Sequence, residues 1–249
     1  MKRLLGVGAG FLVLAGVTVY IAGLPLFRDA PPDTEQVVLL HGLGRSEMSM
    51  LLMENALAGA GFEVHNIGYP STELSSDALV TEISTAIDDC CADNGRTLNL
   101  VGHSLGGLLI RAYLAGRHPA NLGRVVLIGT PNHGSELADL DAGLLGTLVD
   151  MAGPTARMLG TGSEDFPASL PPPDYPLGVI AGTRDAIVTN EWLPQPNDSM
   201  VSTASVRLDG MTDYVEFPVT HWGLRNDGDV ARAVIRFLRT GAFRTHSRP

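Results

Sequence analysis

The alternation of short apolar runs with segments of helical periodicity constrains this fold more than any other feature of the sequence. Several of the runs are almost continuously apolar, which is typical of strands buried on both faces of a parallel sheet. The runs are Gln36–Leu40, Phe62–Ile67, Thr97–Val101, Arg124–Ile128, Leu177–Ala181 and Tyr214–Phe217. Because strands that alternate with helices form right-handed βαβ units, we predict an α/β fold with a mostly parallel sheet of about six strands, flanked by helices.

One segment of the chain breaks this alternation. Residues 132–176 separate two predicted strands by far more than a usual connection, and they are expected to form a lid-like insertion with a helix at Leu137–Met151. The total length suits one large domain. We therefore predict a single domain over residues 36–241, followed by a flexible tail at 242–249.

The N-terminus carries a second strong signal. Lys2 and Arg3 precede the uncharged, mostly apolar stretch Leu4–Phe27. About 20 apolar residues can span a bilayer as a helix, and a signal peptide has a shorter apolar core. The pattern favours a signal-anchor at 1–27 and a polar linker at 28–35, with a cleaved signal peptide as the alternative. The domain is then expected outside the cytoplasm, either membrane-anchored through this helix or, after cleavage, secreted or periplasmic.

Charge and cysteine content exclude several functions. The net charge is −10, and no basic cluster lies outside the C-terminal tail, so nucleic-acid binding is not expected. Cys90 and Cys91 are adjacent, a spacing that rarely allows a relaxed disulfide, and we expect one buried and one partly exposed thiol. No Cys/His spacing resembles a zinc site, so no metal site is expected. No cofactor is expected either.

The sequence Gly102-His103-Ser104-Leu105-Gly106 lies between a predicted strand and a predicted helix. This is the pattern of a nucleophile elbow, in which a tight turn lifts a serine hydroxyl above the sheet. Small residues are needed on both sides because the turn leaves little room for a Cβ atom. The alternative is a glycine-rich turn with an inactive serine, but the flanking strand and helix favour Ser104 as a nucleophile.

The turn His41-Gly42-Leu43-Gly44 follows the first strand of the domain. It is typical of an oxyanion hole, with one N–H from Leu43 and the other from Leu105. An ordinary βα turn is the alternative interpretation.

A catalytic base is expected after the last strand, because on such a fold the order along the chain is serine, acid, histidine. His221 lies between the last predicted strand and the last predicted helix. His133, at the start of the insertion, is the only competing candidate. His41 and His103 lie in the two turns and are expected to shape them.

These segments resemble the α/β-hydrolase lipases, namely the bacterial true lipases and the small lidless lipases. The resemblance covers residues 36–241. The matching segments are Leu39–Gly44, Val101–Gly107, Ile128–Ser135, Asn197–Val201, Arg207–Gly210 and His221.

The resemblance implies that Asp198 is the acid, because it matches the aspartate of an Asn-Asp-Gly segment in those families. Two positions depart from the pattern: Ser199 replaces the glycine, and Gly223 replaces an aspartate that binds calcium in the true lipases. Asp185 stays open as an alternative acid, because it follows a predicted strand at a common position for this residue.

The resemblance implies a serine hydrolase that cleaves carboxylic esters through a Ser-Asp-His triad and an acyl-enzyme, with an ester or lipid as substrate. Thioester or amide hydrolysis and acyl transfer use the same triad and remain alternatives. A non-catalytic, membrane-tethered domain is a further alternative of a different class.

Overall fold

The computed structural model describes residues 33–140, 153–186 and 192–244. Its strands are β1 (Gln36–Leu40), β2 (Glu63–Ile67), β3 (Leu98–His103), β4 (Leu122–Ile128), β5 (Leu177–Gly182) and β6 (Asp213–Phe217). They form one six-stranded sheet in the order β2-β1-β3-β4-β5-β6, and every neighbouring pair is parallel. The predicted α/β fold is thus confirmed. The first and last residues of each predicted strand lie within two residues of those of the observed strand.

Helices cover both faces of this sheet. They are α1 (Leu51–Gly59), α2 (Ser76–Cys90), α3 (Leu105–Gly116), α4 (Pro154–Arg157), α5 (Phe166–Ser169), α6 (Thr203–Val206) and α7 (Gly228–Thr240), with a 3-10 turn at Glu47–Met50. Side chains of α1 and α7 pack in one apolar cluster. Side chains of α2 and α3 pack in the other. The central strands β1 and β3 are buried along their whole length, as their continuous apolar sequence predicts.

The strand order places a topological switch point between β1 and β3. From β1 the chain passes to β2 on one side, and it then returns to β3 on the other side. In open α/β sheets, ligands bind at the carboxyl ends of the strands beside such a point. The segments that follow β1 and β3 are the turn at Leu43 and the turn at Ser104.

The described residues of the insertion pack against the domain. Ala138, Leu159 and Phe166 are buried in the same apolar cluster as α2 and α3. The helix predicted from Leu137 does not start there, because residues 137–140 form turns closed by bonds such as Ala138 N–H to the carbonyl of Ser135 (2.9 Å). The rest of that predicted helix lies outside the described residues, and the lid-like role of the insertion stays a prediction.

The ends of the predicted domain lie inside packed structure. Phe243 is 6% exposed and its ring packs against that of Phe237 in a tilted arrangement, so the packed residues extend beyond Gly241. Glu35, in the predicted linker, accepts a hydrogen bond from Asn99 (3.0 Å). The predicted N-terminal anchor lies outside the described residues. In the part of the chain that the structure describes, no helix combines the length and the apolar character needed to cross a bilayer.

The expectation of two free thiols is wrong, because Cys90 and Cys91 are joined by a disulfide. The chain leaves the helical conformation at Cys91 (φ −142°, ψ −26°), directly after the last residue of α2. Cys91 is buried and Cys90 is partly exposed. The side chain of His65 in β2 is close enough that its ligand atom and the two sulfurs all lie within 4.8 Å of one another. Sequence spacing does not reveal this group because His65 belongs to a separate element.

Candidate active site

Ser104 lies at the turn between β3 and α3. Its backbone has φ 55° and ψ −123°, a conformation that side-chain-bearing residues rarely adopt. The turn is held by hydrogen bonds from the N–H of Ser104 to the carbonyl of Ile128 (2.9 Å) and from the N–H of Gly107 to the carbonyl of Ser104 (2.9 Å). The side chain of Ser104 is only partly buried. Its hydroxyl is therefore presented at the carboxyl edge of the sheet.

The two glycines of the motif are required by close backbone contacts. A Cβ atom at Gly102 would lie 2.5 Å from the nitrogen of Gly107. A Cβ atom at Gly106 would lie 2.5 Å from the carbonyl oxygen of Leu40 in β1. Both distances are too short for a side chain, so the tight strand-to-helix turn depends on glycine at these two positions.

A buried carboxylate and a histidine meet at the same edge of the sheet. Oδ2 of Asp198 lies 2.8 Å from Nδ1 of His221. The main chains are also joined, because the N–H of His221 donates to the carbonyl of Asp198 (2.8 Å). The carboxylate of Asp198 is fully buried, and its second oxygen accepts from the N–H groups of Met200 (3.0 Å) and Val201 (2.8 Å). All of these bonds fix the carboxylate against the imidazole.

Glycines at the ends of two strands make room for this pair. Gly129 follows β4, and a Cβ atom there would lie 3.2 Å from Nδ1 of His221. Gly182 ends β5, and a Cβ atom there would lie 2.8 Å from Cβ of Asp198. The two loops can therefore approach the strand ends closely.

The alternative acid, Asp185, makes a different contact. Its carboxylate accepts a hydrogen bond from the hydroxyl of Ser199 (3.2 Å), and the same hydroxyl accepts from the N–H of Ala186 (2.7 Å). Ser199 has a φ of 83°, in the left-handed region that favours glycine. This conformation explains why glycine suits the equivalent position in the Asn-Asp-Gly segment of the lipases that the sequence resembles. The competing base, His133, lies with Nδ1 3.2 Å from the carbonyl oxygen of Ser205.

The two N–H groups predicted for the oxyanion hole lie in the turns after β1 and β3. Leu105 is the first residue of α3, where an N–H has no acceptor within the helix. The N–H of Leu43 has no acceptor among the residues that the structure describes. The next N–H along, that of Gly44, donates to Oγ of Ser71 (3.0 Å). A Cβ atom at Gly42 would lie 3.1 Å from Cβ of Ser104, so the first turn passes directly beside the serine.

His41 is held under this first turn by Tyr69. The two rings stack with their centroids 3.9 Å apart. The hydroxyl of Tyr69 donates to the carbonyl of His41. Burial lowers the pKa of His41, which keeps the ring neutral. These contacts are consistent with the prediction that His41 shapes the turn, whereas no sequence pattern marks Tyr69 as its partner.

His103 contacts the loop that carries His221. Its Nε2 lies 2.9 Å from the carbonyl oxygen of His221, and the centroids of the two rings are 4.7 Å apart. Burial lowers the pKa of His103 well below its usual value, and the charge that His221 takes up on protonation lowers it further. A neutral His103 with a proton on Nε2 donates a hydrogen bond to that carbonyl. This bond helps to hold the loop that carries His221.

The hydroxyl of Ser104 makes no hydrogen bond to His221 among the described residues. Catalytic hydrogen bonds are often long or poorly aligned in the absence of substrate, and they shorten in the complex. Ser104 is adjacent to His103, whose ring packs against that of His221. The structure thus brings Ser104, Asp198, His221 and the two N–H groups to one edge of the sheet, while Asp185 and His133 bind elsewhere.

A model of the alpha/beta hydrolase family matches residues 37–244. The chain belongs to this family. Among solved structures, this α/β-hydrolase is similar to the mature lipase BlEst2 of Bacillus licheniformis, with a TM-score of 0.69 and 19% identity over 86% of this chain and 94% of that one. It is also similar to the phospholipase PlaB of Legionella pneumophila, with a TM-score of 0.64 and 16% identity over 84% of this chain and 61% of that one.

Two bacterial lipases are similar in sequence. The triacylglycerol lipase of Burkholderia plantarii is 29% identical over 143 residues, which are 53% of this chain and 40% of that protein. The triacylglycerol lipase of Pseudarthrobacter phenanthrenivorans is 31% identical over 120 residues, which are 45% of this chain and 37% of that protein. The matches span less than half of either lipase. Part of this α/β-hydrolase is therefore similar in sequence to bacterial triacylglycerol lipases.

Proposed function

We propose that this α/β-hydrolase cleaves carboxylic esters, with Ser104 as nucleophile, His221 as base and Asp198 as the acid that orients it. The contact that carries the proposal is the 2.8 Å pair between the buried carboxylate of Asp198 and Nδ1 of His221. This contact fixes the proton on Nδ1 and leaves Nε2 free to accept a proton from serine. The similarity to triacylglycerol lipases supports esters as the substrate class.

The proposed reaction has two steps. Oγ of Ser104 attacks the acyl carbonyl while Nε2 of His221 takes the hydroxyl proton, and the carbonyl oxygen gains a negative charge. The N–H groups of Leu43 and Leu105 donate to this oxyanion. The C–O bond then breaks, and His221 passes its proton to the leaving alcohol. Water attacks the acyl-enzyme by the same route, which releases the acid and restores Ser104.

The proposal includes a location. The residues before the domain resemble a signal-anchor, so the catalytic domain is proposed to act outside the cytoplasm. An ester or lipid substrate would then be met at or beyond the membrane.

Labelling and turnover of a Ser104→Ala variant test the proposal. The unaltered chain should react with a fluorophosphonate probe and hydrolyse p-nitrophenyl esters. The variant should take up no probe and lose about 10⁶-fold in kcat, because the attacking atom is gone. Circular dichroism checks that the variant is folded. A folded Ser104→Ala chain that keeps a substantial share of the ester hydrolysis would overturn the assignment.

A further inference from the structure

A second cluster of reactive side chains lies away from the proposed catalytic residues. It consists of His65 in the edge strand β2 and of Cys90 and Cys91 at the C-terminal end of α2. One ring nitrogen of His65 and the two sulfurs all lie within 4.8 Å of one another. Because α2 leads into β3, its C-terminal end lies toward the amino ends of the strands, whereas Ser104 lies at their carboxyl ends. The cluster therefore needs an explanation other than ester hydrolysis.

The disulfide in this cluster adds little to the stability of the fold. In the chain-entropy account, a disulfide stabilises a protein by closing a loop of the unfolded chain, and the gain grows with the length of that loop. Cys90 and Cys91 are adjacent, so their bond closes the shortest possible loop. They are also the only cysteines of the chain, so no other pairing within it is available. Reversible chemistry of the two sulfurs explains the pair better than stability does.

The groups of the cluster are held in place by contacts other than the disulfide. The N–H of Cys91 donates to the carbonyl of Ile87 (3.0 Å), and the carbonyl of Cys91 accepts from Nδ2 of Asn121 (2.9 Å). The side chain of Cys91 is fully buried in the apolar cluster formed with α2 and α3. The ring of His65 is restricted as well, because its Nε2 lies 3.2 Å from Oε1 of Glu63. Opening the disulfide would therefore leave the two sulfurs and the imidazole close together.

We propose that Cys90, Cys91 and His65 form a Zn²⁺ site that opens when the disulfide is reduced. A dithiol supplies the two electrons and two hydrogens: it is oxidised to its own disulfide, and the bond between Cys90 and Cys91 becomes two thiols. The two thiols release their protons as the ion binds, and the neutral imidazole contributes a lone pair. The site does not depend on the proposed ester hydrolysis.

The donor set and its spacing suit this ion. Thiolate sulfur and imidazole nitrogen are preferred ligands of Zn²⁺, at about 2.3 Å and about 2.0–2.1 Å. Two ligand atoms of one ion are therefore at most about 4.6 Å apart, close to the observed limit of 4.8 Å. The sulfurs must separate to about 3.8 Å in a tetrahedral site. Cys90 is partly exposed, so its side chain has room for this movement, and water can take the fourth position.

The proposed location of the domain makes the disulfide the resting state. Disulfides persist in the oxidising compartments outside the cytoplasm. Since disulfide sulfurs carry no thiolate charge, the oxidised pair does not bind the ion. The site would then take up Zn²⁺ only where a dithiol reaches the protein.

Zinc binding to the full chain in detergent tests the site. The chain purified without reductant should contain no free thiol. Dithiothreitol, removed afterwards by gel filtration without oxygen, should release two thiols. Equilibrium dialysis should then show one more Zn²⁺ per reduced chain than per oxidised chain. Co²⁺ in place of Zn²⁺ should give a thiolate-to-cobalt charge-transfer band in the reduced chain alone.

Variants assign the ligands. Cys90→Ser and Cys91→Ala should each lose the additional Zn²⁺. His65→Gln should weaken its binding at least about tenfold, because loss of even an outer-shell partner of a metal ligand costs about 10–100-fold in affinity. His118→Gln, at an exposed position, should bind Zn²⁺ as the unaltered chain does and is the control. Circular dichroism checks that each variant is folded.

Several results would overturn the inference. Two free thiols in the chain purified without reductant would remove the redox step. Equal zinc binding by the oxidised and reduced chains, or by Cys90→Ser and the unaltered chain, would show that the sulfurs are not ligands. Equal losses in His65→Gln and His118→Gln would indicate binding to surface histidines only.

Discussion

Asp198 and Asp185 lie within hydrogen-bond reach of neighbouring groups, but only the first contacts His221. Asp198 bonds to the imidazole, whereas Asp185 bonds to the hydroxyl of Ser199. At the scale of single residues, this difference separates two acids that the sequence left open. The choice made from the resemblance agrees with the geometry, and kinetics can decide it.

Two asparagine variants test the choice of acid, because asparagine keeps the shape of aspartate and removes its charge. Asp198→Asn should lower kcat by about 10⁴-fold with little change in KM, since His221 loses the group that fixes its tautomer and stabilises its charge. Asp185→Asn should keep a nearly normal kcat and serves as the matched control. A collapse of kcat in Asp185→Asn beside a normal Asp198→Asn would reverse the assignment.

His103 should make the folded state sensitive to acid. Burial lowers its pKa in the folded chain well below the usual histidine value of 6.5. Below pH 6.5 the unfolded chain binds a proton at this position that the folded chain does not, so the free energy of unfolding falls as the pH falls, by at most about 1.4 kcal/mol per pH unit. Above about pH 7 both states are neutral here and the effect is absent.

Urea unfolding of His103→Gln between pH 7.5 and pH 5 measures this effect. Glutamine keeps a donor toward the carbonyl of His221 but does not titrate, so the loss of stability below pH 6.5 should be shallower than in the unaltered chain. His118→Gln, at an exposed position, is the control. An unchanged slope in His103→Gln would show that His103 does not contribute to acid sensitivity.

At the scale of elements, Arg111 ties the insertion to the helix that follows Ser104. This side chain of α3 is 3% exposed. One nitrogen of its guanidinium donates to the carbonyl and the side-chain oxygen of Asn132 (both 3.2 Å), and another donates to the carbonyl of Leu170 (3.1 Å). These two residues lie near opposite ends of the insertion. One side chain thus holds both ends of a long connection against α3.

Arg111→Met should lower the free energy of unfolding by about 2 kcal/mol. Methionine keeps the apolar part of the side chain, but the buried oxygens of Asn132 and Leu170 lose their donors, at a cost of about 1–3 kcal/mol each. Relief from removing a desolvated cation offsets part of this cost. Urea unfolding measures the change. Arg117→Met, which removes an exposed ion pair with Asp88, should cost less than about 1 kcal/mol. Equal losses in the two variants would contradict the role given to Arg111.

The parallel sheet and the order of strands and helices along the chain were predictable because they depend on local sequence patterns. The central strands are five to seven residues long and mostly apolar, and the turn at Ser104 carries its own signature. The contacts that complete the site join residues far apart in sequence. His103 and His221 are 118 residues apart, and no local pattern marks their contact. The bond between Cys90 and Cys91 was missed for a different reason, because adjacent cysteines rarely have the geometry of a relaxed disulfide.

At the scale of the whole molecule, some of the exposed apolar side chains lie close in sequence to the proposed catalytic residues. The described part of the chain exposes seven large apolar side chains: Met48, Leu51, Leu52, Met158, Trp192, Met200 and Trp222. Each belongs to a segment that follows the carboxyl end of a strand. Trp222 directly follows His221, and Met200 lies two residues after Asp198. This edge therefore offers apolar surface beside the proposed catalytic residues, which suits an ester with an apolar chain.

The N-terminal anchor proposed from the sequence predicts where the domain would meet its substrate. Lys2 and Arg3 before an apolar stretch would orient a spanning helix with its N-terminus in the cytoplasm, so the domain should lie on the outer side.

A cell that expresses the full chain with a C-terminal tag should hold the tagged protein in its membrane fraction, at full length, after a high-salt and carbonate wash. Protease added to intact spheroplasts should remove the tag. A variant that starts at Asp33 is the control, and it should be found in the soluble fraction. Recovery of a shortened chain from the soluble periplasmic or secreted fraction would instead establish a cleaved signal peptide, because only cleavage frees the domain from the apolar segment.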